Sequence, residues 1–412
     1  MLVLEYKVKA KPGQDKALAE AIRTVQFIRN KCLRHWMDAP KEAKIGRFAL
    51  NKYSTELRNE FNFVKNLNSM AVQAAAERAW SAISCFYDNC KKAKPGKKGF
   101  PRFQKDNRSV EYKTSGWVLH PTSRRITFTD KKGIGELKLL GKWDIHTYQV
   151  KSIKRVRIVK RANGFYVQFC VDVDGTTPLE PAGNAIGLDV GLKEFYVDSN
   201  GHGEPNPRFL RNAEAAIKHA QRRIYKKKKG SSNRRKARAR YAKKHLRVSR
   251  QRTEHAKRLA RRVCQSNDWV VYEDLKVRNI VKNHKLAKSI NDASWYQFRH
   301  WIEYFASKFG RKAVAVPPQY TSIQCSNCGH HVEKTLSTRT HECPQCGYVA
   351  DRDKNAAINI LRKATTVGQT GSNAWGVGTS TLLGATLVGQ VLTANQESPR
   401  MNGWGVSMIH HL

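Results

Sequence analysis

Acidic side chains are scarce in this 412-residue chain, which sets 33 Asp and Glu against 76 Lys and Arg and carries a formal net charge of +43. Solubility needs far less. An excess of that size repels itself unless a polyanion neutralises it, so nucleic acid is the expected partner. Long apolar runs are also missing. None approaches the roughly 18 to 20 residues that a membrane-spanning helix requires, so no membrane partner is expected. The opening MLVLEYKVKAKPG lacks the apolar segment of a secretory signal, and a cytoplasmic protein is expected. No recognition helix or finger array able to read a long DNA target is recognisable, and no Tyr or Ser stands in the setting of a recombinase nucleophile. What remains is a chain with ordinary hydrophobic content, 40%, and enough length for two or three domains.

Nine cysteines raise the possibility of a disulfide framework, but four of them, Cys325, Cys328, Cys343 and Cys346, form two CxxC pairs. In a cytoplasmic setting this division favours one metal site, and the scattered Cys32, Cys85, Cys90, Cys170 and Cys264 are expected as buried thiols. The two pairs are separated by fourteen residues, 329–342. Each CxxC turn offers two sulfurs to one ion, and a short hairpin joins the pairs into a tetrahedral set. His330, His331 and His341 are alternative ligands that a complete cysteine set makes unnecessary. A closed four-ligand site has no open position for substrate, so a structural zinc is expected.

Along the chain, LVLEYKVKA reads as a strand, and residues 14–95 then carry helical periodicity through Ile22, Val25, Ile28, Cys32, Leu33 and Trp36. MAVQAAAERAWSAISCFYDN repeats that pattern. Residues 96–175 turn to short β runs, with KSIKRVRIVK and GFYVQFCVDVD flanking RANG as a hairpin, and GTTPLEPAG closes this half near residue 183. AIGLDVGLKEFYVDSNG predicts two adjacent strands. Residues 208–262 hold 23 Lys and Arg against Glu214 and Glu254, with a GSSN break at 230–233 that predicts a helical hairpin gripping phosphates. The last fifty residues are rich in Gly, Ser and Thr and are expected as a mobile tail.

Two acids sit where acids are costly, and a third opens a late helix. Asp189 lies inside the apolar AIGLDVGLK, and Glu273 ends the apolar DWVVYEDL. A charge in such a strand demands a cation. Asp353 opens DKNAAINILRK, seven residues after Cys346, while Asp351 is expected as the cap of that helix. In an RNase H-type α/β fold, acids on the first strand, the fourth strand and a late helix converge on two Mg²⁺ ions about 4 Å apart.

GLDVGLKEF, VVYEDLKVRNI and ADRDKNAAINI resemble the three nuclease motifs of the TnpB proteins of bacterial insertion sequences, compact relatives of type V CRISPR effectors. CSNCG and CPQCG resemble the inserted zinc ribbon of that family, and SINDASWYQF and KKGFPRF its other hallmarks. Together they cover about residues 95–375. The resemblance implies a multidomain α+β and α/β protein. Its N-terminal wedge β-barrel, 1–13 and 96–175, would carry a helical recognition insertion, 14–95. Its C-terminal RNase H-like RuvC nuclease, 183–320 and 351–363, would hold the zinc ribbon at 321–350, ahead of the tail at 364–412. It further implies an RNA-guided DNA endonuclease with a guide RNA from the element's own end, a double-stranded DNA target, and one monomer per RNA. Asp189, Glu273 and Asp353 would be its catalytic, Mg²⁺-binding acids, and Cys325, Cys328, Cys343 and Cys346 its zinc ligands. A guided DNA-binding regulator without cutting activity, or an unguided structure-specific nuclease, is the alternative. The first should lack an acid, and the second leaves the first 175 residues without a purpose.

Overall fold

The computed structural model describes residues 2–92, 96–141, 143–335 and 338–370. Of the segment expected as a tail, 364–412, residues 364–370 are helical and Ala364 is buried in a core, while the rest lies outside the described residues. In chain order the elements are β1 (Leu2–Lys9), α1 (Pro12–Asp38), α2 (Arg47–Glu60), α3 (Asn62–Lys65), α4 (Ser69–Lys91) and the strands β2 (Ser109–Tyr112), β3 (Trp117–Leu119), β4 (Arg125–Phe128), β5 (Gly135–Leu140), β6 (Ile153–Arg161) and β7 (Gly164–Val171). There follow β8 (Ala185–Val190), β9 (Glu194–Asp198), β10 (Gly203–Pro205), α5 (Phe209–Tyr225), α6 (Ser232–Ser266), β11 (Trp269–Glu273), α7 (Val277–Ile280), α8 (His284–Ala293) and α9 (Trp295–Phe309). The last are β12 (Lys312–Val316), β13 (Thr340–Glu342), β14 (Val349–Asp351) and α10 (Arg352–Thr370). Among the described residues no helix is long and apolar enough to cross a membrane.

The chain divides into two compact units, the first comprising Met1–Pro178, Pro207–Leu259 and Ile280–Gly310. Its sheet is antiparallel, in the order β2-β6-β7-β1-β5-β4-β3, so the N-terminal strand is inserted between β7 and β5. Gln14 starts α1 by accepting from the Lys11 amide at 3.0 Å, with Pro12 preset for the first turn. Leu18, Ile22, Val25 and Cys32 then bury one stripe of the helix. Asn68 caps α4 through the Met70 amide at 2.8 Å. From α4, Arg78 reaches Glu111 on β2, which Arg155 and Arg157 on β6 also clasp. Burial would raise this carboxyl, but the guanidiniums of Arg78, Arg157 and Arg155 outweigh it and hold it down at about 2.

Of the scattered cysteines, Cys32, Cys170 and Cys264 are buried as expected, whereas Cys85 and Cys90 are exposed. The buried stripe of α4 runs through Ala71, Ala75, Ala79 and Ile83, and neither cysteine falls on it. The segment expected as one piece, 183–320, is shared between the units, and Asp292 supplies a physical reason. Buried on α8, it accepts from the Leu210 and Arg211 amides at the start of α5 and pairs with Arg252 of α6 at 2.8 Å. An acid in the SINDASW stretch thus ties 207–259 to 280–310.

The second unit comprises Leu179–Asn206, Ala260–Asn279 and the described residues from Arg311 on. Its five-stranded sheet has the order β10-β9-β8-β11-β12. β8, β11 and β12 are parallel, and β9 is antiparallel to β8. Val271, Val316, Ile360 and Ala364 form a core between the sheet and α10. The helix comes unusually close to β8. A Cβ at Gly187 would lie 2.1 Å from the Ala357 carbonyl oxygen, so only glycine admits α10 at this depth.

Candidate active site and metal centre

The parallel register pairs Leu188 with Tyr272. The next residues, Asp189 and Glu273, therefore lie on neighbouring strands near their carboxyl ends, and neighbouring strands run about 4.8 Å apart. The carboxyl ends of strands are where open α/β sheets bind ligands. Burial pushes the Asp189 carboxyl well above the usual range, and the charges of Glu273 and then Asp353 push it further. The three acids expected from the sequence thus share one electrostatic field, and all belong to the second unit. Burial raises Glu273 as well, against the Thr321 hydroxyl, which donates to Oε1 at 2.6 Å, and the charge of Lys363. Two buried carboxyls raised in this way, one of them further raised by its acidic neighbours, are an arrangement that a cation relieves.

Asp351 and Asp353 divide their work. Asp351 Oδ1 accepts from the amides of Asp353 and Lys354 at 2.8 and 3.3 Å, which makes it the cap of α10. The Asp353 carboxylate takes no part in the cap and is largely covered, its side chain 15% exposed. Arg339 lies 3.4 Å from its Oδ2 and Arg352 3.9 Å from its Oδ1.

Three residues that the motif reading passed over build the floor of this site. Asn355, Asn359 and Lys363 recur every four residues on α10 and hold the segment 317–326. Asn355 donates to the Gln324 carbonyl at 2.8 Å and accepts from the Ser326 amide at 2.8 Å. Asn359 donates to the carbonyls of Thr321 and Gln324 at 2.9 and 2.6 Å. Lys363 reaches the carbonyls of Pro317, at 3.2 Å, and of Gln319. The signal was in the sequence, as polar residues at i, i+4 and i+8 beside the apolar stripe of Ala356, Ile360 and Ala364.

Among the described residues, Cys325, Cys328, Cys343 and Cys346 are the one group of His, Cys, Asp or Glu side chains whose ligand atoms gather as a metal set, all within 4.8 Å. Cys325 and Cys346 sulfurs are 3.8 Å apart, and those of Cys328 and Cys343 3.5 Å. A tetrahedron with Zn–S arms of ~2.3 Å has edges of about 3.8 Å, so the thiols suit zinc. Each pair rides a tight turn, closed by the Cys325 amide on His330 and the Cys343 amide on Tyr348. The Tyr348 amide pulls the Cys346 thiol down to about 6, making it ready to ligate. His330, His331 and His341 stay outside the set, and His341 Nδ1 meets the Lys334 amine instead. The metal centre is fastened to the acids at both ends: β13 pairs Thr340 with Asp351 of β14, and Ser326 is bonded to Asn355.

Residues 168–284 match the family model described as "Probable transposase", and residues 295–360 match the one described as "Cas12f1-like, TNB domain". A Streptomyces pristinaespiralis protein named "Putative RNA-guided DNA endonuclease" is 31% identical over 369 residues, spanning 86% of this chain and 88% of that one. The chain belongs to the TnpB family. A second TnpB relative, the TnpB-like protein L79 of Acanthamoeba polyphaga mimivirus, is 35% identical over 88 residues, which cover 21% of this chain and 17% of that one. Two solved structures share the mixed α/β multidomain fold. The mini-RNA-guided endonuclease CRISPR-Cas_phi3 aligns with a TM-score of 0.52 at 10% identity over 88% of this chain and 92% of its own. The Cas12f1-sgRNA-target DNA complex aligns at 0.50 and 14% identity over 85% and 81%.

Proposed function

We propose that this TnpB protein is an RNA-guided DNA endonuclease that binds a guide RNA derived from the transposon end and hydrolyses target double-stranded DNA beside a short flanking motif. What supports the chemistry is geometry: the register of β8 and β11 puts Asp189 and Glu273 on neighbouring strands at the carboxyl edge of the sheet, and Asp353 opens the helix packed on β8, in a strand order that suits an RNase H-type fold. We assign that sheet with α10 to a RuvC nuclease, 183–320 and 351–363, and Cys325, Cys328, Cys343 and Cys346 to a structural zinc ribbon, 321–350. The seven-stranded sheet is read as the wedge β-barrel, 1–13 and 96–175, and 14–95 as its recognition insertion. The relatives' names and the +43 charge support guide RNA and target DNA as partners of a monomer that joins the nucleoid when bound.

Two Mg²⁺ ions, when bound, supply an activated water and stabilise the leaving 3′ oxygen. The residues do the rest. Asp189, raised by burial and by the charge of Glu273, and Glu273, raised by burial, are the carboxyls that would hold divalent charge at the strand ends. Thr321 fixes the rotamer of Glu273 by donating to Oε1, and Asp351 leaves Asp353 free to ligate by carrying the helix cap itself.

In the deciding experiment, Asp189→Ala, Glu273→Ala and Asp353→Ala each abolish Mg²⁺- or Mn²⁺-dependent cutting of guide-matched DNA and leave gel-shift affinity within about twofold, since each removes a ligand and none removes a cation. Asp351→Ala lowers thermal stability and retains cutting. The reverse outcome for Asp351 and Asp353 defeats the assignment.

A further inference from the structure

Tyr320 occupies a conformation that its residue type disfavours. Its φ is +65°, in the left-handed region where a bulky side chain is strained and glycine is at ease. Its ring gains no burial in return, being 59% exposed. Strain of this kind persists only where the surroundings over-determine the backbone. They do so here: Lys363 fixes the carbonyls of Pro317 and Gln319 just before Tyr320, and Asn359 fixes that of Thr321 just after it. The exposed His331 ring stands 5.3 Å away at a tilt of 34°. The neighbouring residue, Thr321, is the one that holds Glu273. A two-ring exposed surface is therefore held next in the chain to the threonine that donates to Glu273.

We propose that Tyr320, backed by His331, is a stacking platform for a nucleobase of the DNA strand entering the carboxylate site. The chemistry fits a base because any base offers a π-face, so stacking positions a strand without reading its sequence. That tolerance suits an enzyme whose specificity comes from paired RNA. Turning the ring outward at Tyr320 seats the base at a fixed offset from the scissile phosphate, and the α10 staples keep that offset constant. The inference rests on the nuclease reading of the carboxylates.

The test compares Tyr320→Phe, which keeps the ring, with Tyr320→Gly, which relieves the backbone and deletes the ring. With a full-length Asp189→Ala chain and its copurified RNA, 2-aminopurine is walked along bound single-stranded DNA. We expect quenching at one position, kept in Tyr320→Phe and lost in Tyr320→Gly. In the otherwise wild-type chain, Tyr320→Gly should melt no lower and cut about tenfold more slowly at saturating DNA, while Tyr320→Phe cuts normally. Wild-type cutting and unchanged fluorescence in Tyr320→Gly overturn the platform, as does quenching that occurs only when the probe is placed in the RNA. The fluorescence reads no cleavage. A ring-dependent signal in the Asp189→Ala chain, together with no cutting by the chain that keeps Asp189, Glu273 and Asp353, would strike the nuclease reading and leave the platform standing.

Discussion

Asp189 folds at a disadvantage in the absence of metal. Its carboxyl is raised by burial first and by Glu273 and Asp353 next. Between the ordinary carboxylate pKa and the raised one, the folded chain therefore holds a proton that the unfolded chain has released. Stability contributed by that proton falls as pH rises through the window. Asp189→Asn has no charge to desolvate. Its melting temperature in chelator should exceed that of the parent chain by a margin that grows as pH rises above the ordinary carboxylate value of about 4, and added Mn²⁺ should stabilise the parent alone. A margin independent of pH in a melting series would show that Asp189 is not the strained group. Asp292 shows the opposite use of a buried acid. Two amides and the Arg252 guanidinium satisfy it, so it serves as a fastening of α5 and α6.

At the scale of elements, the depth at which α10 meets β8 sets the distance between Asp353 and Asp189. Gly187→Ala drives a methyl onto the Ala357 carbonyl and, lying in the backbone contact itself, has no side chain to displace. The expected cost is about 3 kcal/mol or more, read as a lowered urea midpoint, with cutting lost even in the folded fraction. A variant as stable and active as the parent would mean that α10 is free to shift. The four-cysteine segment is joined to the same helix through Asp351 of β14 and through Ser326 on Asn355. Cys343→Ser should reduce bound zinc, measured by elemental analysis at one ion per parent chain, and should lower folded yield together with cutting. Full-rate cutting by zinc-free protein would uncouple the ribbon from Asp353.

For the whole molecule, charge sets the expectation. The +43 excess suits an RNA of many phosphates, whose bound counterions are released on association. The purified protein should carry one dominant structured RNA, and replacing its terminal segment should redirect cutting to DNA of the new sequence. Reversing several charges within 208–262 should weaken RNA binding at every sequence and flatten its dependence on salt. Cutting by RNA-free protein at sites indifferent to added guides would favour the unguided nuclease.

The sequence by itself determined whatever depends on local order. Periodicity marked α1 and α4, the GSSN break separated α5 from α6, and RANG marked the turn between β6 and β7. Two CxxC pairs predicted a four-sulfur set because each turn brings its own two ligands together. An acid in an apolar strand pointed to Asp189 and Glu273 because such a charge is costly wherever the strand goes. Tertiary structure decided what depends on distant segments meeting. The register of β8 against β11 set Asp189 beside Glu273, and the absence of a side chain at Gly187 brought α10 in behind them. The strained backbone of Tyr320 and the division of 183–320 between two units were not legible in any motif, and the four-residue spacing of Asn355, Asn359 and Lys363 did not say which carbonyls they would hold. Each arises from a hydrogen bond or a close approach between residues dozens of positions apart, and no local pattern in the chain encodes which partner will arrive.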